Sequence, residues 1–141
     1  MSSAQRRREP FRFGFRVYYE DTDAGGIVYY ANYLKYMERA RTEWLSSLGH
    51  ELSSLERVEG IVFVVHRVEI DYRIPARLGE RVDVTATLVE LNRASMLIEQ
   101  DVLRGDEALT HARVALACLA REGWRPVRMP APLHQRLERL P

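Results

Sequence analysis

The sequence has a single cysteine, Cys118, and a single lysine, Lys35. One cysteine cannot close an intrachain disulfide, and no paired Cys/His spacing marks a zinc or other metal site, so a reducing cytoplasm is the expected setting. No apolar run approaches the roughly 20 residues that a membrane helix needs, so no membrane span is expected. An excess of charge is missing too: 21 basic and 20 acidic side chains leave a formal net charge of +1. A nucleic acid would find no overall field to gather it. With Lys35 the only lysine, nearly all of the positive charge is arginine, a planar and permanently charged group suited to phosphate and carboxylate.

The Arg6-Arg7-Arg8 triplet is followed by no apolar stretch, so a secretory signal is not expected. Residues 1–10 read as a disordered, solvated tail, with contact to anionic lipid the weaker alternative. The 141 residues, 46% of them hydrophobic, suffice for one globular domain, expected over residues 11–141.

Phe11, Phe13, Phe15, Val17 and Tyr19 alternate with Arg12, Gly14, Arg16 and Tyr18, which predicts a half-buried strand over Phe11 to Glu20. Asp21-Thr22-Asp23-Ala24-Gly25-Gly26 breaks the alternation with turn-forming residues. From Asn32 to Leu48 the apolar residues Tyr33, Leu34, Met37, Ala40, Trp44, Leu45 and Leu48 recur at three and four, the period of an amphipathic helix. On its other face Arg39/Glu43 and Glu38/Arg41 are spaced for ion pairs, and Gly49 supplies the stop. Ile61 to Ala120 then reads as four antiparallel strands. In the first of these Val62, Val64, His66, Val68, Ile70 and Tyr72 are expected on one face, with Arg67, Glu69 and Asp71 on the other, and the first half, with Ile61, Phe63 and Val65 also apolar, is expected to be buried on both faces. A lone long helix must bury its stripe against a sheet, so the class is α+β.

The chemistry concentrates in the Gly-flanked loop that feeds the helix. Asp21 and Asp23 sit just before a helix N-terminus, whose unbonded N–H groups and positive dipole can hold an oxyanion or keep a carboxylate ionised. Such a carboxylate can serve as base or nucleophile, while backbone N–H groups stabilise charge on an acyl oxygen. The bland alternative is that both aspartates make Asx turns and Asn32 caps the helix. The tyrosines around the loop fit either a core or an acyl pocket.

The run Tyr19-Glu20-Asp21-Thr22-Asp23-Ala24-Gly25-Gly26, then Val28-Tyr29, Asn32-Tyr33-Leu34 and Glu38-Arg39-Ala40-Arg41-Thr42-Glu43-Trp44-Leu45, resembles the signature of the 4-hydroxybenzoyl-CoA thioesterase family. Its branch of acyl-CoA thioesterases associated with the bacterial Tol-Pal system is the nearest in pattern. The resemblance implies a hot-dog fold, an antiparallel five-stranded sheet wrapped around one long helix, assembled as a homodimer or homotetramer. It implies hydrolysis of an acyl-CoA to a carboxylic acid and free coenzyme A, with no bound cofactor or metal. By position, Asp23 matches the family's catalytic carboxylate, as nucleophile or general base. The backbone N–H of Tyr30 matches the donor that polarises the thioester carbonyl, which requires helical turns to begin before Asn32. Asp21, Gly25 and Gly26 would shape the loop. Arg93 and Ser95, at a hairpin, and Arg125 and Arg128, in an Arg-Pro-Val-Arg-x-Pro pattern, would lie near coenzyme A, with plain surface charge the alternative for each. The Tol-Pal branch commonly has His where this chain has Tyr30, so its acyl preference is not carried over.

A second reading is a noncatalytic hot-dog module that binds acyl carrier protein or an envelope-maintenance partner. A third, the Asp106/His111 spacing reminiscent of hot-dog hydratases, falls at a late hairpin and reads as coincidence. His66 reads as a satisfied core or interface residue, Glu38 and Glu43 as ion-pair members, and Cys118 as a small apolar residue on a strand. His50 and His134 lack partners at metal-binding spacings.

Overall fold

The computed structural model describes residues 10–140; the tail expected over 1–10 therefore lies, except for Pro10, outside the described residues. Five strands, β1 (Phe11–Arg16), β2 (Ile61–Tyr72), β3 (Arg81–Leu91), β4 (Ser95–Arg104) and β5 (Glu107–Ala120), form one antiparallel sheet in the order β1-β3-β4-β5-β2. Helix α1 (Asn32–Ser47) is the long helix, a short turn α2 (Leu52–Ser54) follows it, and α3 (Ala131–Glu138) closes the described chain. None of the described helices is long and apolar enough to cross a membrane.

The α1 stripe packs Tyr33, Tyr36, Met37, Ala40, Trp44 and Leu45 onto the inner sheet face, where Val82, Val84, Met96, Ile98, Val102, Val114 and Leu116 are buried. This buried apolar surface, at about 25 cal/mol per Å², is what holds a half-polar helix on the sheet. One inner position is polar. Gln100 is fully buried on β4; its Nε2 donates to the carbonyls of Met37 (3.0 Å) and Thr85 (3.2 Å), and its Oε1 accepts from Arg41 Nη1 (2.9 Å). The amide thus ties helix to sheet with its hydrogen-bonding capacity used on both ends.

Three local expectations are corrected. The first strand stops at Arg16, and Tyr19–Asp21 forms a single tight helical turn instead of continuing it. In β2 the register with β5 slips at His66, between Val65↔Leu116 and Arg67↔Ala115. The extra residue is a bulge that inverts the alternation. Phe63 therefore packs on the core together with Val68 and Ile70, while His66 is exposed and is not a core histidine. Finally, neither α1 ion pair forms. Arg39 lies over the rings of Phe15 (5.9 Å) and Tyr36 (6.0 Å), and Arg41 turns inward to Gln100. The exposed Arg39 gains a stacking contact with two aromatic faces, and the half-buried Arg41 gains more from the Gln100 amide than from a solvent-screened carboxylate.

Candidate active site

The loop between β1 and α1 is a small hairpin. Asp23 N–H donates to the Ile27 carbonyl (2.9 Å), Thr22 bridges Val28, and Tyr29 N–H donates to the Asp21 carbonyl (3.0 Å). Asp23 therefore sits at the tip and is exposed, whereas Asp21 lies at the buried base. The segment between β2 and β3 braces the hairpin from the side: Val28 N–H donates to Ala76 O (2.9 Å) and Leu78 N–H to Gly26 O (3.0 Å). Arg104 grips both oxygens of Glu80 (3.0 and 2.9 Å) at the end of that segment.

Each loop-shaping residue has a distinct geometry. Asp21 Oδ2 accepts Tyr18 N–H (2.8 Å), and its carbonyl also accepts Asn32 Nδ2 (2.8 Å). The Asn32 side chain thus ties the loop base to α1 and does not cap the helix. Gly25 N–H donates to Asp23 Oδ1 (2.8 Å), an Asx turn that holds one carboxylate oxygen and leaves Oδ2 without a partner among the described residues. Gly26 has φ +79°, a left-handed conformation that only glycine adopts without strain.

Helical turns do begin before Asn32. Asn32, Tyr33 and Leu34 donate to the carbonyls of Tyr29 (2.8 Å), Tyr30 (3.3 Å) and Ala31 (3.2 Å), and Ala31 has helical angles, φ −67° and ψ −23°. The Tyr30 and Ala31 N–H groups precede this ladder and have no acceptor among the described residues. Two unbonded donors at a positive helix end form a place for an oxyanion.

Beside these donors is a mainly apolar cavity of about 280 Å³, walled by Ile27, Val28, Tyr30, Tyr33, Tyr72 and Ile74, with Arg73 also in its lining. Burial pushes the Tyr72 and Tyr33 hydroxyls above the ordinary phenol value. Both stay protonated through the neutral range, so Tyr72 can donate and does so, to the Tyr30 carbonyl (3.1 Å). The buried Tyr36 hydroxyl has no hydrogen-bond partner among the described residues; burial, and then the charge of nearby Asp21, push its pKa up strongly. Tyr72 was not among the candidates from sequence. Its position at the end of a strand, 42 residues from Tyr30, gives no local signal.

The arginines lie elsewhere. Arg93 and Ser95 flank the β3–β4 hairpin, and the Arg93 carbonyl accepts Met129 N–H (2.9 Å), which brings Arg128 alongside. Arg93 and Arg128 line a second cavity, of about 270 Å³, with Met129, Ala131, His134 and Gln135. Arg125 is exposed at the turn after β5, where its carbonyl accepts Ala120 N–H (2.8 Å). The Asp23 loop abuts the start of β3 and the arginines its end. At about 3.3 Å per residue, β3 alone separates them by on the order of 30 Å within one chain. His111 pairs with Asp101 Oδ1 (2.6 Å), not with Asp106, on the sheet face away from α1. No cluster of metal-ligating side chains is present among the described residues.

The thioesterase superfamily matches residues 25–111, a span that opens two residues after Asp23. An acyl-CoA thioesterase, YbgC, of Haemophilus influenzae is 42% identical over 120 residues, which cover 85% of this chain and 88% of the relative. The acyl-CoA thioester hydrolase YbgC of Escherichia coli O6:H1 is 36% identical over 110 residues, covering 77% and 81%. Among solved structures, a probable thioesterase from Bartonella henselae superposes with a TM-score of 0.83 at 35% identity, covering 86% of this chain and all (100%) of that one.

Proposed function

The chain belongs to the thioesterase superfamily, with the hot-dog fold, and on that premise we propose that it hydrolyses an acyl-CoA thioester to a carboxylic acid and free coenzyme A. The observation that carries the site assignment is the pairing, on one short loop, of a carboxylate with a free oxygen, Asp23, and the unbonded Tyr30 N–H.

A thioester carbonyl has weak resonance and is already electrophilic, so the protein need supply only position, a carboxylate and an oxyanion site. Neither a metal nor a bound cofactor enters this reading. The Tyr30 N–H takes the carbonyl oxygen as it gains charge. In one route Asp23 attacks the carbonyl carbon, the C–S bond breaks, coenzyme A leaves as thiolate, and water cleaves the resulting anhydride. In the other, Asp23 accepts a proton from the water that attacks directly. Both routes end in acid and thiol.

The second half of the substrate calls for a second copy. An acyl-CoA whose thioester lies at Asp23 does not reach Arg93, Arg125 and Arg128 on its own chain, because they stand at the other end of β3. Strand β2 is one of the two sheet edges, paired among the described residues only to β5, and its free side allows the β2 of a second copy to dock antiparallel across a two-fold axis. In that arrangement the arginine end of one protomer approaches the Asp23 loop of its partner, and the functional unit is a homodimer or homotetramer. The location is the cytoplasm, in keeping with the unpaired Cys118.

Thiol release from a panel of acyl-CoAs by the wild-type protein and Asp23→Asn tests this reading. Release by the wild type that the substitution abolishes supports it. Binding of acyl carrier protein without thiol release from any acyl-CoA would replace it with the noncatalytic module.

A further inference from the structure

The two unbonded N–H groups ahead of α1 belong to consecutive peptide units, and each unit is anchored by its carbonyl. The Tyr29 carbonyl, which shares a peptide with the Tyr30 N–H, accepts Asn32 N–H at 2.8 Å. The Tyr30 carbonyl, which shares a peptide with the Ala31 N–H, accepts Tyr33 N–H at a longer 3.3 Å and, from outside the helix, the Tyr72 hydroxyl at 3.1 Å. The first unit is fixed within the helical turn. The second depends on a side chain from the far end of β2.

We infer that Tyr72 is a positioning residue for the hydrolysis. Its hydroxyl holds the Tyr30–Ala31 peptide so that the Ala31 N–H joins that of Tyr30 as a second oxyanion donor, and its ring walls the cavity that takes the acyl group. The inference rests on the thioesterase reading above and adds a donor and a residue to it. Three observations support it. A carbonyl that accepts a hydrogen bond polarises its own peptide and strengthens the N–H at the other end. The ring of Tyr72 stands edge-on to Tyr30 (6.2 Å) and Tyr33 (5.4 Å), so the hydroxyl is aimed by packing. All three rings line the mainly apolar cavity of about 280 Å³, which places an acyl group against the side chain that holds the donor. Tyr72 remains 46% exposed, so the fold does not depend on burying it.

The geometry separates the two roles. Tyr72→Phe keeps the ring and the cavity and deletes one hydrogen bond, whereas Tyr72→Ala also removes a wall. In a steady-state thiol-release assay Tyr72→Phe is expected to lower kcat about tenfold, less than outright removal of an oxyanion donor, with KM within about twofold of wild type. The loss should be the same for every acyl group tested, and the melting temperature should be unchanged. Tyr72→Ala is expected to show that kcat loss together with a change in KM that varies with the acyl group. Wild-type kcat in Tyr72→Phe overturns the positioning role, as does a loss confined to KM. Asp23→Asn in the same assay reads the reaction assignment separately, because the Tyr72 effect is measured against wild type and does not depend on what Asp23 does.

Discussion

The Gly25 N–H donates to Asp23 Oδ1 at 2.8 Å, and a methyl group on Gly25 would lie 3.3 Å from that same oxygen. The residue that holds the carboxylate is thus also one whose side chain would crowd it. Gly25→Ala should displace Asp23 by a few tenths of an ångström and lower kcat about tenfold, given how steeply rate falls with misplacement of a reacting group. Stability should barely change, since Gly25 is exposed and its φ is ordinary. Gly26→Ala should behave in the opposite way. At φ +79° the added Cβ meets no atom within 4 Å but strains the backbone, at a cost of about 1 kcal/mol readable in a urea melt.

Gln100 is the polar link between helix and sheet. Gln100→Leu leaves the Arg41 guanidinium without this acceptor and takes one donor from each of the Met37 and Thr85 carbonyls. The expected cost is about 3 kcal/mol, the scale of burying unpaired polar groups, and chemical denaturation would measure it. A loss under 1 kcal/mol would mean that water replaces the amide.

Alkaline pH should destabilise the fold. Burial moves the Cys118 thiol from 9.0 to about 11, and burial raises Tyr36 as well. A folded-state value above the unfolded one means that the protonated form is favoured by folding. The associated stability is complete below pH 9 and is lost as pH rises toward 11. Melting temperatures followed by circular dichroism should fall across that interval, and less so in Cys118→Ala once the loss of packing is subtracted at neutral pH.

A shared site predicts complementation. Asp23→Asn and an Arg93→Ala/Arg128→Ala double variant should each be impaired, the second chiefly in KM. Refolded together in equal amounts, they should recover about a quarter of the wild-type sites, because each mixed dimer holds one site free of both defects. No recovery would place the arginines and Asp23 in the same chain's site, against the roughly 30 Å that separates them along β3.

The sequence carried the elements and the loop because both are written in local terms. The three-and-four spacing from Tyr33 to Leu45 marks α1, and Asp-x-Asp followed by Gly25-Gly26 marks the hairpin. Alternation could not show the bulge at His66, since one extra residue leaves an apolar run looking continuous while every later side chain changes face. Spacing predicted Arg39/Glu43 and Glu38/Arg41 pairs, yet Arg41 is drawn inward by Gln100, a partner 59 residues away. The Tyr72 contact with Tyr30 was hidden for the same reason: it exists only once β2 is laid beside the start of α1. The distance between Asp23 and the arginines became visible only with the strand order.

In the proposed reaction Asp23 is the nucleophile or general base. The direct measurement is kcat for thiol release by Asp23→Asn, a substitution that keeps the side chain's shape and can still accept the Gly25 N–H. A fall of at least about 100-fold with an unchanged melting temperature is the predicted result. Turnover equal to wild type would contradict the account.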